Sequence, residues 1–128
     1  MRKFDANSLR ARIEQVLGLR MIELEISFRA MFGGVTGYTY GRNFVSLSSV
    51  GLALKLSEDD RTALLKIRGA KLLQYDAAGP PSKTSVVVPD SILDDDRALR
   101  FWLNKSILHC QSLPSKTRRP ARARKSAD

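Results

Sequence analysis

Among the 128 residues, His109 and Cys110 are the pair best suited to nucleophile-and-base chemistry, and they are adjacent. Neighbours on a helix point about 100° apart, so these two cannot form a dyad with each other. His109 is expected at the surface near a helix end, where a cation suits the dipole. Cys110 is expected packed and inert. With one His and one Cys in the chain, a transition-metal site would have to be completed by carboxylates, and no ligand spacing supports one. A single cysteine also excludes an intramolecular disulfide and a cysteine-only zinc site.

The carboxylates cluster in three places. Glu23 and Glu25 stand at i, i+2 on a strand-like stretch, which would put them together on a solvated face. Glu58-Asp59-Asp60 follows Ser57 and reads as the acidic first turn of a helix. Asp94-Asp95-Asp96, with Asp90, could hold a hard cation weakly, but capping and solubility explain the run as well. Gly33-Gly34-Val35-Thr36-Gly37 invites a phosphate-loop reading. Such loops open a helix and here strands follow, with no Gly-Lys-Ser/Thr. Its glycines are expected to bend or bulge the backbone. No catalytic, cofactor or metal site is therefore expected, and Trp102 is assigned to a core stripe.

The elements that must position these residues follow from periodicity. Leu9, Ile13, Val16 and Leu17 mark one face of a helix over about residues 7–17, with Asn7 or Ser8 as cap and Gly18 as stop. Ile22, Leu24, Ile26 and Phe28 alternate with polar residues, the pattern of a strand with one buried face. Val35 to Tyr40 reads as a second strand, with Gly41-Arg42 as a two-residue hairpin turn. Phe44, Val45 and Leu47 make the third strand, and Leu52 to Leu56 the fourth. A helix from Ser57 ends before Gly69. Strands are expected at Lys71–Tyr75 and Thr84–Val88, around a loop with two prolines. The last helix carries the stripe Leu99, Trp102, Leu103, Ser106 and Ile107, with Asp90-Ser91 and Asp94-Asp95-Asp96 as two candidate caps. The order α-β-β-β-β-α-β-β-α predicts an α+β fold. The expected architecture is two-layer, a mostly antiparallel sheet with helices packed on one face.

The net charge of +9 is uneven. Lys116, Arg118, Arg119, Arg122, Arg124 and Lys125 stand against Asp128 alone in residues 114–128, which therefore carry +5 of the total. Apolar residues fade from Pro114 onward, so 1–113 reads as one domain and 114–128 as a disordered basic tail. Six cations without an aromatic would contact nucleic-acid phosphates weakly, with no sequence preference and a steep salt dependence. A solvated tail that aids solubility is the competing explanation. No apolar run approaches a membrane span of about 20 residues, and Met1 to Ser8 turns polar at once. A reduced, cytoplasmic setting is expected, with no membrane contact.

Several stretches resemble the TfoX N-terminal domain family. They are Arg29-Ala-Met-Phe-Gly-Gly34, Gly37-Tyr-Thr-Tyr-Gly41, Asn43-Phe-Val45, Leu52-Ala-Leu-Lys55 and Val88-Pro-Asp, with Leu99 and Trp102 downstream. The resemblance spans about residues 7–110. Thr36 adds one residue to the glycine spacing, Ala53 stands where the family usually has tyrosine, and Val87 at a place often aromatic. The family takes its name from a bacterial regulator of natural competence, and the resemblance brings no enzyme activity, cofactor or catalytic residue. It implies a non-enzymatic protein-interaction module, linked to transcriptional or competence regulation. Its contact would run through a sheet edge or the exposed meander, where Tyr38, Tyr40 and Arg42 lie. An unidentified protein partner is expected, and free edges allow a homodimer. The alternative is a nucleic-acid-associated protein acting through the tail.

Overall fold

The computed structural model of the chain describes residues 4–31, 33–76 and 78–113. Helix α1, Ala6–Leu17, buries Leu9, Ile13, Val16 and Leu17, as the periodicity predicts. Its cap is Asp5 rather than Asn7 or Ser8: the Asp5 carboxylate accepts from the Ser8 amide at 3.0 Å. Gly18 takes φ 54 and donates its amide to Glu14 O, closing the helix.

A short helix α2, Arg20–Glu23, replaces the start of the expected first strand. Ile22 is 81% exposed, and Glu25 lies in the left-handed region at φ 49. The chain reverses there, so Glu23 and Glu25 do not share a strand face. Alternation at 22 and 24 could not distinguish one helical turn from strand, because four residues carry too little periodicity. Tertiary bonds decide it. The buried Thr39 hydroxyl donates to Leu24 O at 2.7 Å, and the Tyr40 hydroxyl donates to Glu23 O at 2.7 Å.

The sheet then runs β1 (Ile26–Met31), β2 (Gly34–Thr39), β3 (Arg42–Ser48) and β4 (Gly51–Lys55). Helix α3, Glu58–Leu65, is capped by Ser57 Oγ accepting from the Asp60 amide, as the sequence implies. Strands β5 (Lys71–Leu72) and β6 (Ser85–Val87) are shorter than expected. Helix α4, Asp90–Leu93, is an additional turn, and Asp95 caps the last helix α5, Asp96–Ser112. All strand pairings are antiparallel, in the order β1-β2-β3-β4-β6-β5. Helices α1 and α5 lie across β2, β3 and β4, and α3 packs near β6. Leu64 of α3 joins the same core as Ile13, Leu54 and Leu103. The fold is α+β with its helices on one face.

The first hairpin turn is Tyr40-Gly41, one residue earlier than the expected Gly41-Arg42, since Thr39 pairs with Arg42. Tyr40 and Gly41 both have positive φ, 50 and 79, as a type I′ turn requires. The register then slips: Gly37 faces Val45, but Tyr38 faces Asn43. Phe44 is the extra residue of a β-bulge. A bulge lets two successive side chains share a face, and Phe44 and Val45 are both in the core, 0% and 2% exposed.

Gly37 makes room for them. A Cβ there would stand 2.5 Å from Val45 Cγ1, 3.1 Å from Phe28 and 3.3 Å from Phe44. The bulged strand is tied to α5 by the Ser106 hydroxyl, which lies 2.8 Å from Phe44 O and 2.7 Å from Lys55 O. Gly37→Ala is expected to cost about 1–3 kcal/mol by overpacking. Ser106→Ala should cost about 1–3 kcal/mol by stranding two buried carbonyls. Urea unfolding of each variant measures both.

Candidate interaction surface

The two faces of the sheet differ sharply in chemistry. The inner face carries Ile26, Phe28, Val35, Leu47, Leu52 and Leu54 against the helices. The outer face takes the alternate positions, because paired residues share a face. Over β4 and β6 it is covered: Val50 and Leu73 pack on Ala53 and Val87, which are cross-strand partners. Two of the three departures from the family pattern, Ala53 and Val87, thus sit side by side under one small apolar cover.

Over β1, β2 and β3 the outer face has no helix on it among the described residues. Tyr38 lies there half-buried, with the Arg29 guanidinium 5.6 Å from its ring centre. Beside it, Asn43 is exposed and its carboxamide oxygen lies 3.5 Å from Lys55 Nζ. Thr36 and Met31 meet at 3.4 Å, hydroxyl to sulfur. Further from the hairpin, Met31, Thr36, Ser46, Ser48, Val50 and Tyr75 line a groove of about 490 Å³. Its floor is small and hydroxylated, and its rim is Tyr75, 65% exposed.

The three sequence-selected residues are not brought together. Tyr38 is on this outer face. Tyr40 is in the turn, pinned to Glu23 O. Arg42 points the other way, donating to Cys110 O and Leu113 O and so capping the C-terminal carbonyls of α5. Lys116, Arg118, Arg119, Arg122, Arg124 and Lys125 lie outside the described residues. Arg29, Lys55 and Tyr75 share or rim the outer face too. The alternation that sets Arg29 opposite to Phe28 is the sequence signal for the first, whereas Tyr75 comes from a loop and carries none.

His109 and Cys110 diverge as helix geometry requires. Cys110 is fully buried and its thiol donates to Asn43 O at 3.4 Å. Burial pushes that thiol's pKa up, against the opposing pull of Lys55 and Arg42. His109 is half-buried, and its pKa is lowered, first by burial and then by the cations Lys55 and Arg61, with Asp60 opposing. The helix-end cation expected there is therefore disfavoured by neighbours on β4 and α3. Among the described residues no group of three or more His, Cys, Asp or Glu could hold a metal. No helix among them is long and apolar enough to cross a membrane.

These features define a two-layer α+β domain whose antiparallel sheet, among the described residues, carries helices on one face. The chain belongs to the TfoX N-terminal domain family, whose model matches residues 23–110. The match starts later than the resemblance does and leaves out α1, although α1 supplies core residues. No curated protein and no solved structure matches the chain.

Removing the Arg42 cap by Arg42→Ala should cost about 1.5–3 kcal/mol, the range for a charged hydrogen bond. Amide exchange should accelerate in residues 109–113 while β1 is unchanged. His109 gives a signed pH effect. Its folded pKa lies below 6.5, so the unfolded chain takes the proton first on acidification. Stability is expected to fall as pH drops below about 6.5, and His109→Gln should flatten that slope in urea titrations.

Proposed function

We propose that this chain is a non-enzymatic protein-interaction module that docks a partner by adding a strand to β1, in a regulatory setting of the TfoX type. The observation that carries this reading is the contrast between the two sheet edges. Edge β5 has two residues, which is one way proteins blunt an edge. Edge β1 has six, with unbroken register, no proline and β2 as its single partner among the described residues. Its inner-face side chains Ile26 and Phe28 are half-buried, so an added strand would complete their burial. The Arg10 guanidinium stands 4.8 Å from the Phe28 ring centre, at the margin such a strand would meet. The non-enzymatic part is supported by the buried, hydrogen-bonded Cys110 and its divergence from His109.

Antiparallel pairs alternate in hydrogen bonding, and a two-residue turn is flanked by a doubly bonded pair. Thr39↔Arg42 is such a pair in β2 and β3. In β1, Ser27 and Arg29 therefore bond to β2, while Ile26, Phe28 and Ala30 turn their N–H and C=O groups outward. Ala30→Pro removes an outward donor without breaking the β1–β2 ladder.

The test is affinity capture with the full chain, with partners identified by mass spectrometry and self-association followed by analytical ultracentrifugation. Ala30→Pro is expected to fold and to lose the partner or the second copy. A folded Ala30→Pro chain that keeps its partner overturns the β1 reading.

A further inference from the structure

We infer that the strand added to β1 is the β1 of a second copy of this chain, giving a two-fold symmetric dimer in which two six-stranded sheets join edge to edge. This names the occupant of the β1 edge and rests on the strand-addition reading. Register, side-chain fit and charge carry it.

Ile26, Phe28 and Ala30 turn their N–H and C=O groups away from β2. In an antiparallel pair such residues must face one another, so a second β1 can take only every other register. A two-fold axis at Phe28 sets Phe28 opposite the second copy's Phe28, and Ile26 opposite its Ala30. All three outward residues of each copy are then in doubly bonded pairs, with about six backbone hydrogen bonds between the copies. Moving the axis to Ser27 or to Arg29 leaves only two such pairs within Ile26–Met31. An axis at Arg29 also puts that cation directly opposite itself, where like charges repel.

The side chains fit this register. On the inner face Ile26 and Phe28 are half-buried and Ala30 is exposed. The axis sets each isoleucine beside an alanine and closes the two phenylalanines into an aromatic cross-strand pair. On the outer face Arg29 meets the second copy's Ser27, so no like charges are opposed. Helix α1 packs chiefly over β2, β3 and β4, which leaves the inner side of the edge open to a neighbouring strand among the described residues. Where β1 begins, α2 contacts it and leaves Leu19 and Ile22 87% and 81% exposed. The second copy's β1 would end beside Ile26, next to this aliphatic turn.

The margin is complementary to itself in charge. The Arg10 guanidinium stands 4.8 Å from the Phe28 ring centre and 3.3 Å from the Glu14 carboxylate. This α1 ion pair therefore lies by the axis. A two-fold reverses its direction, so Arg10 and Glu14 of one copy run alongside Glu14 and Arg10 of the other. A strand pair with this margin is small against a standard interface of about 1,600 Å². The dimer is therefore expected to be reversible and concentration-dependent.

Sedimentation velocity of the full chain over a concentration series tests the occupant, with thermal melting as the check that each variant is folded. A monomer–dimer equilibrium is expected. Ala30→Pro should weaken it at least about fivefold, because the symmetry deletes the donor twice. Disulfide trapping with oxidised glutathione reads the register. Ser27 and Arg29 are exposed and would face each other in a non-bonded pair, where Cβ atoms come closest. Ser27→Cys chains mixed with Arg29→Cys chains should cross-link. Neither variant alone should, since identical positions lie about 8 Å apart, beyond disulfide reach. Cys110 is buried and stays out of the reaction. A chain that remains monomeric throughout overturns the inference. So does a dimer that a folded Ala30→Pro chain keeps, and so does either cysteine variant linking to itself more readily than to the other. A monomeric chain that captures a different protein, and loses it on Ala30→Pro, overturns the second copy alone and leaves the strand-addition reading standing.

Discussion

One hydroxyl holds the two layers in register. Ser106 projects from the middle of α5 to Phe44 O and Lys55 O, the carbonyls of two neighbouring strands. A β-bulge leaves backbone groups without their ladder partners, and buried groups of that kind are costly unless something else bonds to them. Here the helix does so. One turn further on, Cys110 bonds to Asn43 O, and Arg42 returns to the carbonyls at the helix end. Successive points along α5 are thus fastened to successive residues of the irregular half of β3.

The bulge in turn shapes both faces. Inside, it lets Phe44 and Val45 enter the core together, and Gly37 is small enough to admit them. Burying such side chains contributes about 1.5–3 kcal/mol each. Outside, the slip moves Asn43 beside Tyr38 and brings it toward Lys55. The polar character of the open face near the hairpin is therefore a consequence of how the core is filled.

The sheet handles its exposed parts unequally. The outer face of β4 and β6 is covered by Leu73 and Val50, and β5 is too short to template another strand. Among the described residues the outer face of β1–β3 and the β1 edge have neither protection. Unpaired backbone along an edge strand is a feature that a stable isolated domain is expected to blunt. The face and the edge lie together at one side of the molecule, where the edge offers backbone groups and the face offers side chains.

Long periodic segments were legible in the sequence. The stripe of Leu9, Ile13, Val16 and Leu17, the Ser57 cap and the stripe of α5 depend on local geometry, so residue spacing alone determined them. The antiparallel α+β class followed from the order of such segments, and the family from short glycine and aromatic motifs. Short or irregular elements were not legible. The strand-like alternation at 22–25 became a helical turn because Thr39 and Tyr40 capture its carbonyls from another part of the chain. The hairpin turn shifted by one residue because Tyr40 could take a positive φ while its hydroxyl was held. Arg42 looked like a surface residue of a loop and became a helix cap, since only the packed structure brings Leu113 to it. Sequence alone fixed what depends on neighbours within a turn or two; the tertiary structure decided every feature whose hydrogen-bond partner lies far along the chain.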